Sequence, residues 1–280
     1  MTPAPLTVAQ ALAQARSLGL DRFDTQLLLS GLLRQNRSWL LTHDDASLNS
    51  EQTARWAGWL ARRADGEPVA YLLGERGFHG LTLAVNSAVL DPRPDTETLV
   101  DWALDVLADR PAGASVLDLG TGSGAIALAI RQARPDAQVS AVDLSDAALE
   151  VARGNGARLG LPVRWLQGTW LAPVAGETFD LIVSNPPYIA EGDPHLRALK
   201  HEPALALTSG PDGLDAIRHL IAQAPAHLGP GGWLLLEHGY DQADAVAALL
   251  HAAGGWADAA HRLDLGGQRR CTGACRASPA

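Results

Sequence analysis

Residues 115–130 read SVLDLGTGSGAIALAI, and this stretch decides the fold. The apolar run 115–119 is typical of a buried strand, and the run 125–130 is typical of a helix. Between them, the alternating glycines Gly120, Gly122 and Gly124 permit a tight turn and a close approach of the backbone to a ligand. The start of the following helix adds free N–H groups. The unit therefore favours a nucleotide-binding site over an ordinary strand-to-helix turn. Its G-x-G-x-G spacing differs from the dinucleotide fingerprint, and no lysine follows it as in a phosphate loop.

The next predicted strand, 138–142, ends at Asp143. An acidic residue about 20 positions after the glycines, at the carboxyl end of a strand, is placed to accept hydrogen bonds from both hydroxyls of a ribose. We therefore expect Asp143 to bind a nucleoside.

Strand and helix patterns alternate from Thr96 onward. The predicted helices are 97–108, 124–133, 146–158, 212–228 and 241–252, and the predicted strands are 115–119, 138–142, 163–167, 179–184 and 232–237. This alternation predicts an α/β domain with a parallel sheet covered on both faces. Ligands of such sheets bind beyond the carboxyl ends of the strands, so the glycine loop, Asp143 and Asn185 are expected to converge on one pocket.

The tetrapeptide Asn185-Pro186-Pro187-Tyr188 follows the predicted strand 179–184. Two consecutive prolines donate no backbone hydrogen bond, so the chain leaves the sheet in a stiff, extended form. The Asn185 side-chain oxygen and the Pro186 carbonyl are then two fixed acceptors beside the ring of Tyr188. Such a site suits a planar group with an NH₂, either an amide or the exocyclic amine of a base.

The first 70 or so residues are predicted to be helical. The expected helix starts are a capping box of Thr7 with Gln10, a cap at Asp24, and a third helix after Asn49. The tryptophans of this region, Trp39, Trp56 and Trp59, are expected to form a small core. In residues 72–89, apolar and polar side chains alternate in a pattern that predicts a short hairpin with Gly80 near its turn. We interpret this hairpin as a connector.

The chain resembles the HemK/PrmC family of methyltransferases. The similarity rests on LDLGTGSG at 117–124 with Asp143, on NPPY at 185–188, on YLLGER at 71–76, FHGL at 78–81 and PRPDTE at 92–97, and on LLEHG at 235–239. It implies a class I (Rossmann-like) S-adenosylmethionine-dependent methyltransferase domain over residues 96–280. It also implies an N-terminal helical domain at 1–72 that recognises the substrate, joined by the hairpin connector 73–95.

The resemblance implies that S-adenosyl-L-methionine is the cofactor and S-adenosyl-L-homocysteine the product. The methyl acceptor would be the side-chain nitrogen (N5) of the glutamine in the Gly-Gly-Gln motif of bacterial peptide chain release factors. The implied cofactor contacts are Gly120, Thr121, Gly122, Ser123, Gly124, Asp143, Trp170 and Asn185, and the implied catalytic and substrate-binding residues are Asn185, Pro186, Pro187 and Tyr188. Two positions depart from the family: Thr169 stands where an acidic residue usually precedes the tryptophan, and Asp91 where many relatives have an apolar residue.

Composition narrows the possible partners. The 280 residues carry a formal net charge of −9, which argues against a general grip on a nucleic-acid backbone. No segment is predicted to span a membrane or to act as a signal peptide, and the two cysteines, Cys271 and Cys275, are expected to be free thiols. We therefore expect a cytoplasmic monomer without a metal site.

Three alternatives stay open from the sequence. They are a glutamine methyltransferase that acts on a ribosomal protein, an adenine-N6 DNA methyltransferase, and a non-catalytic binding protein that retains the fold. The segment Pro94-Asp95-Thr96-Glu97 favours the release factor over the ribosomal protein, and the acidic charge disfavours DNA. Intact Asp143 and Asn185 disfavour a protein without activity.

Two further segments have interpretations of their own. Residues 189–213 show little periodicity, and long loops of this kind are often functional, so we expect a lid or partner-binding loop. Gly266-Gly267-Gln268 matches the Gly-Gly-Gln sequence, but we interpret it as a tight turn between two C-terminal strands.

Overall fold

The computed structural model describes residues 6–277, which divide into two compact units. Within the described residues, the first unit comprises 6–75 with Ala198–His201, and the second comprises Arg76–Arg197 with 202–277. The predicted division at 1–72, 73–95 and 96–280 stays a prediction.

The first unit contains the helices α1 (Val8–Ser17), α2 (Arg22–Leu33), α3 (Arg37–Thr42), α4 (Ser50–Ala64) and α5 (Val69–Leu73). The capping box of Thr7 with Gln10 is present as predicted, and Asn49 forms a second one with Gln52. The predicted cap at Asp24 is wrong: Asp21 caps α2, because its carboxylate accepts from the N–H groups of residues 23 and 24. Asp24 lies inside the first turn and pairs with Arg63 at 2.9 Å.

The expected tryptophan core of this unit is present. Trp56 and Trp59 are buried, and Trp39 packs against them from a partly exposed position. Leucine and alanine side chains from several helices complete the cluster, among them Ala11, Leu28, Leu29, Leu40 and Leu60.

A two-stranded sheet, β1 (Glu75–Phe78) and β2 (Leu81–Ala84), forms the predicted hairpin. Its turn contains Gly80, as expected, at φ 78°. His79 precedes it at φ 45°, a left-handed conformation that is uncommon outside glycine.

The second unit is built on a seven-stranded sheet. Its strands are β3 (Ser115–Leu119), β4 (Gln138–Asp143), β5 (Arg164–Gln167), β6 (Phe179–Ser184), β7 (Leu228–Glu237), β8 (Ala260–Leu263) and β9 (Arg269–Cys275), in the order β5-β4-β3-β6-β7-β9-β8. Strands β3 to β7 are parallel, as predicted. However, β9 runs antiparallel to β7 and β8 antiparallel to β9, so the sheet is mixed. A short turn joins β8 to β9, and strands joined in this way pair antiparallel.

Helices α6 (Glu97–Ala108), α7 (Ala125–Ala133), α8 (Asp146–Leu159), α9 (Asp215–Gln223) and α10 (Ala243–Ala253) cover the sheet. One sheet face, with Val183 and Leu235, packs against α6 and α7. The opposite face, with Ile182 and Leu236, packs against α9 and α10. Parallel strands buried on both faces have apolar side chains at successive positions, which is why their sequences show almost continuous hydrophobic runs.

The predicted helix 212–228 is too long at both ends. Helix α9 stops at Gln223, and a single 3₁₀ turn, Ala224–His227, leads directly into β7. Pro225 stands in that turn, and proline cannot donate the N–H that a helix interior requires. No helix of the described residues is long and apolar enough to cross a bilayer.

Candidate active site

Three loops meet at the carboxyl edge of the sheet because the strands that precede them are neighbours. Strand β3 lies between β4 and β6, so the glycine loop, Asp143 and Asn185 come together. They line one cavity of about 560 Å³. This cavity lies beyond the carboxyl ends of the strands, where ligands of parallel sheets usually bind. The predicted convergence is therefore observed, and the cavity has the size of an ordinary small-molecule site.

The glycine loop adopts backbone conformations that side chains disfavour. Gly122 has φ 55° and Gly124 has φ 83°. A Cβ on Gly124 would lie 3.0 Å from the Trp165 ring and 3.1 Å from Leu128, whereas nothing lies within 4 Å of a Cβ on Gly122. The third glycine thus permits close packing of the helix against the sheet, while the second leaves the loop backbone open toward the cavity.

Asp143 organises the glycine loop itself. Its Oδ2 accepts a hydrogen bond from the Gly122 N–H at 2.8 Å, and its Oδ1 accepts from the Ser145 N–H at 2.9 Å. Each carboxylate oxygen retains acceptor capacity, so these bonds orient the carboxylate and leave lone pairs for a ligand. Sequence reasoning predicted the ligand contact and missed the bond to the loop.

Asp118 is a buried carboxylate behind the loop. Its Oδ2 accepts from the Thr121 hydroxyl at 2.6 Å and from the Ala127 N–H at 3.2 Å, while Oδ1 has no partner among the described residues. Burial raises the pKa of Asp118 to about 7, against the lowering effect of those two hydrogen bonds, and the charge of Asp143 adds to the rise. The carboxylate joins the loop to the start of α7.

Asn185 lines the cavity, and its side-chain amide has a defined partner. The Nδ2 group donates to the Thr96 hydroxyl at 3.2 Å. With Nδ2 held in this way, Oδ1 is the atom left to accept a hydrogen bond from a ligand. Thr96, which lies before α6 and also lines the cavity, is a residue that sequence reasoning did not single out.

The rest of the tetrapeptide is distributed differently. Pro187 lines the cavity, whereas Pro186 is buried and Tyr188 packs against the apolar cluster under α9 and α10. Burial raises the pKa of the Tyr188 phenol, and the nearby Glu237 carboxylate raises it further. The Tyr188 carbonyl accepts from Gln242 Nε2 at 3.0 Å, which ties the chain beyond the prolines to the segment before α10.

Trp170 is one of the cofactor contacts that the family resemblance implies. Trp170 and Thr169 both line the cavity, and Trp170 has φ 49°. A bulky side chain in this conformation is unusual, and such strain clusters at ligand sites. The Trp170 ring lies 6.4 Å from the ring of His219.

The segment 91–97 contributes both to the wall of the cavity and to its support. Arg93 lines the cavity and pairs with Glu202 at 2.5 Å, and the Asp91 N–H donates to the same Glu202 carboxylate at 3.2 Å. Burial raises the pKa of Asp91, opposed by Arg76 and Arg93. Asp91 is thus a buried member of an ionic cluster in the second unit.

The two acidic residues further along this segment point to other partners. Asp95 pairs with Arg270 at 3.1 Å, and the Glu97 carboxylate accepts from the His79 N–H at 2.8 Å. These contacts join the start of α6 to β9 and to the hairpin turn.

The segment 189–213 folds back on itself. The Ile189 N–H donates to the Leu207 carbonyl, the Ser209 N–H to the Ile189 carbonyl, and the Glu191 N–H to the Gly210 carbonyl, all at 2.9–3.0 Å. Pro203, Leu205 and Ser209 line the cavity. The second half of the segment is therefore part of the cavity wall; its action as a lid stays a prediction.

Two smaller expectations have structural counterparts. Both cysteines are free, with Cys271 buried in β9. The turn at 264–268 is closed by the Asp264 carbonyl and carboxylate, which accept from the N–H groups of Gly267 and Gln268 at 2.9 Å. Among the described residues, no group of three or more His, Cys, Asp or Glu side chains is arranged to hold a metal ion.

Comparisons with known proteins agree with this geometry. Residues 6–74 match the family described as PrmC N-terminal domain, and residues 96–202 match the Methyltransferase small domain. The chain is 52% identical over 255 residues to the release factor glutamine methyltransferase of Xylella fastidiosa strain Temecula1, an alignment that covers 90% of this chain and 91% of the relative. The chain belongs to the release factor glutamine methyltransferase family.

Other members and neighbours extend this finding. The release factor glutamine methyltransferase of Burkholderia pseudomallei is 49% identical over 280 residues, which cover 97% of this chain and 96% of that relative. The crystal structure of a methyltransferase from Pyrococcus furiosus superposes with a TM-score of 0.55 at 20% identity, covering 82% of this chain and all of that chain; this likeness shows the fold alone. The chain is thus a class I methyltransferase of the release factor glutamine methyltransferase family.

The residues present fit the family's methyl donor, S-adenosylmethionine. The glycine loop at the end of β3, the spare lone pairs of Asp143 and the ring of Trp170 all belong to one cavity wall. A nucleoside requires an acceptor for its ribose hydroxyls, which the Asp143 carboxylate offers, and an apolar face for its base, which the Trp170 ring offers.

Proposed function

We propose that this chain transfers a methyl group from S-adenosylmethionine to the side-chain nitrogen of the glutamine in the Gly-Gly-Gln motif of bacterial peptide chain release factors. The observation that carries the proposal is the Asn185 amide, which lines the nucleoside cavity with its Nδ2 held by Thr96. Its free Oδ1 is an acceptor suited to the N–H of a second amide.

Methyl transfer to an amide nitrogen depends on how the enzyme positions that nitrogen, more than on an acid or base catalyst. When bound, S-adenosylmethionine supplies a methyl group activated by the sulfonium sulfur. A glutamine nitrogen is a poor nucleophile because its lone pair is delocalised into the carbonyl. Asn185 Oδ1 and the Pro186 carbonyl would accept its two hydrogens and favour a pyramidal nitrogen with a localised lone pair. This interaction strengthens as the nitrogen becomes positive, so it contributes most in the transition state.

No strong base is needed before transfer. The amide N–H becomes acidic only once the nitrogen carries positive charge, so the proton can leave afterwards. We therefore assign no catalytic histidine. Tyr188, with its largely buried phenol, and Pro187 would form the apolar side of the substrate site and exclude water.

The cofactor contacts are assigned to residues of the cavity wall. Gly120, Thr121, Gly122, Ser123 and Gly124 would hold the donor through the backbone, Asp143 would accept from the ribose hydroxyls, and Trp170 would pack on the adenine. In support, six of these seven residues line the cavity; the seventh, Gly124, instead packs the start of α7 closely against its neighbours.

Further parts of the proposal concern the protein as a whole. Residues 1–72 would recognise the release factor, and residues 73–95 would connect them to the catalytic domain, 96–280. Within that domain, the segment 189–213 would act as a lid. The enzyme would act as a monomer in the cytoplasm, where release factors work. Its net charge of −9 supports a protein rather than a nucleic-acid partner.

The test is methylation in vitro. Purified enzyme is incubated with S-adenosylmethionine and an unmethylated release factor, and the Gly-Gly-Gln peptide is analysed by mass spectrometry. We expect one added methyl group, and none when the glutamine of the substrate is replaced by alanine. Ribosomal protein and DNA are assayed in parallel; methyl transfer to either in preference to the release factor would contradict the proposal.

A further inference from the structure

Asn185 and Glu237 occupy matching places at the ends of two neighbouring strands. Ser184 of β6 pairs in register with Leu236 of β7, so the next residues of the two strands are Asn185 and Glu237. Side chains alternate between sheet faces, which places both on the face of Val183 and Leu235, the face that α6 covers. Thr96, the residue before α6, reaches this edge of the sheet.

Thr96 joins the two side chains. Its hydroxyl accepts from Asn185 Nδ2 at 3.2 Å. It also lies close enough to the Glu237 carboxylate to lower the pKa of that group. Thr96 is buried and its side chain does not cap the helix that follows, although threonine is a common capping residue. The hydroxyl is thus used for the two side chains and not for the helix.

The single proton of the hydroxyl decides which way the amide faces. Because Thr96 accepts from Asn185 Nδ2, its own proton is left for another acceptor, and the Glu237 carboxylate, which only accepts, is the neighbour that attracts it. The hydroxyl then offers Asn185 lone pairs alone, and these require Nδ2 on the side of Thr96. The Asn185 oxygen is thereby left as the ligand acceptor.

We propose that Thr96 and Glu237 are positioning residues, which hold the Asn185 amide with Oδ1 available to the substrate glutamine. The proposal rests on the proposed function for its catalytic consequence, but the orientation of the amide can be measured without it. Glu237 does not line the cavity, so it acts through Thr96.

The surroundings of Glu237 make its charge sensitive to pH. Glu237 is 1% exposed, and its Oε2 has no hydrogen-bond partner among the described residues. Burial raises its pKa to about 7, against the lowering effect of the nearby Thr96 hydroxyl. The charged and titratable groups that face it are Arg270, Arg93, Asp95, Tyr188 and Cys271.

Four of those neighbours, the two arginines, Tyr188 and Cys271, do not change charge near neutral pH. The arginines stay cationic, and burial raises the pKa of Tyr188 and of Cys271, so both stay neutral. The adjacent His238 is buried and its pKa is lowered, chiefly by desolvation. When Glu237 is protonated it becomes a donor to Thr96, whose own proton then turns to Asn185 and attracts Oδ1. Turnover is therefore expected to fall as the pH falls through about 7.

The first test compares Thr96→Val with Thr96→Ser. Valine keeps the shape and removes the hydroxyl, so we expect kcat for release factor methylation to fall about 10- to 100-fold, with KM for the release factor little changed. Serine keeps the hydroxyl and should recover most of that loss. Equal kcat in the valine variant and the wild type, or serine no better than valine, would overturn the proposal.

The second test separates the proposal from the proposed function. The side-chain NH₂ signals of Asn185 are followed by ¹⁵N NMR across pH, assigned by their loss in Asn185→Asp. We expect them to shift with a midpoint near 7 in the wild type and to stay constant in Glu237→Gln. A constant signal in the wild type, or the same shift in Glu237→Gln, refutes the positioning role. If the signals shift as expected but the wild type methylates no release factor, the proposed function fails and the positioning role stands.

Discussion

Replacing Glu237 by glutamine is expected to stabilise the protein at alkaline pH and to change its stability little at acid pH. Glu237 is buried, and desolvation of its charge raises its pKa from the ordinary 4.5 to about 7. The folded state therefore holds the proton more tightly than the unfolded chain. Between pH 4.5 and about 7 the free energy of unfolding of the wild type falls as pH rises, and above that range the loss is complete.

The size of this loss follows from the shift. Because the pKa of Glu237 rises from 4.5 to about 7 on folding, its ionisation lowers the free energy of unfolding by about 3 kcal/mol at about pH 8. At about pH 5 the loss is about 1 kcal/mol. Glutamine carries no charge at either pH. The stability of Glu237→Gln relative to the wild type should thus increase by roughly 2–3 kcal/mol between the two conditions.

Urea unfolding followed by circular dichroism, at a series of pH values, measures this difference. Asp118 has a pKa of about 7 as well, but it is present in both proteins, so its contribution cancels in the comparison. Glu150→Gln, at an exposed position of α8, serves as the control for removing a carboxylate from the surface. A difference that does not vary with pH, or that shrinks as pH rises, would refute the assignment of Glu237 as a carboxylate destabilised by burial.

Three further outcomes are expected. Asn185→Ala should lower kcat about 100-fold or more with an unchanged unfolding midpoint, because it removes a transition-state acceptor; near-normal turnover would contradict its role. Asp143→Ala should weaken S-adenosylhomocysteine binding by about 1–3 kcal/mol in calorimetry, since charged hydrogen bonds are lost, and unchanged affinity would rule out the ribose contact. Gly124→Ala should cost about 1–3 kcal/mol more in urea unfolding than Gly122→Ala, because both strain the backbone but only the former crowds neighbours; equal losses would show that crowding is absent.

Much of the fold could be predicted because its signals are local. The strands β3, β4 and β6 and the helix α6 lie close to the predicted bounds, since apolar runs and their alternation depend on neighbouring residues. The capping box of Thr7 is likewise contained within four residues. The errors also have local causes: Asp24 and Asp21 are both acceptable caps by residue type, and only the backbone at Asp21 decides between them.

From local patterns alone one can predict that a glycine loop, Asp143 and Asn185 each come at the end of a strand, and hence that they share one edge of a parallel sheet. Those patterns do not determine what each side chain contacts there. Asn185 and its partner Thr96 are 89 positions apart in the sequence, and Arg93 and its partner Glu202 are 109 positions apart. The direction of the Asn185 amide and the raised pKa of Glu237 depend on such distant partners. Hydrogen-bond direction and desolvation are set by the groups that surround a side chain in space, and these are brought together only when the sheet and its covering helices pack.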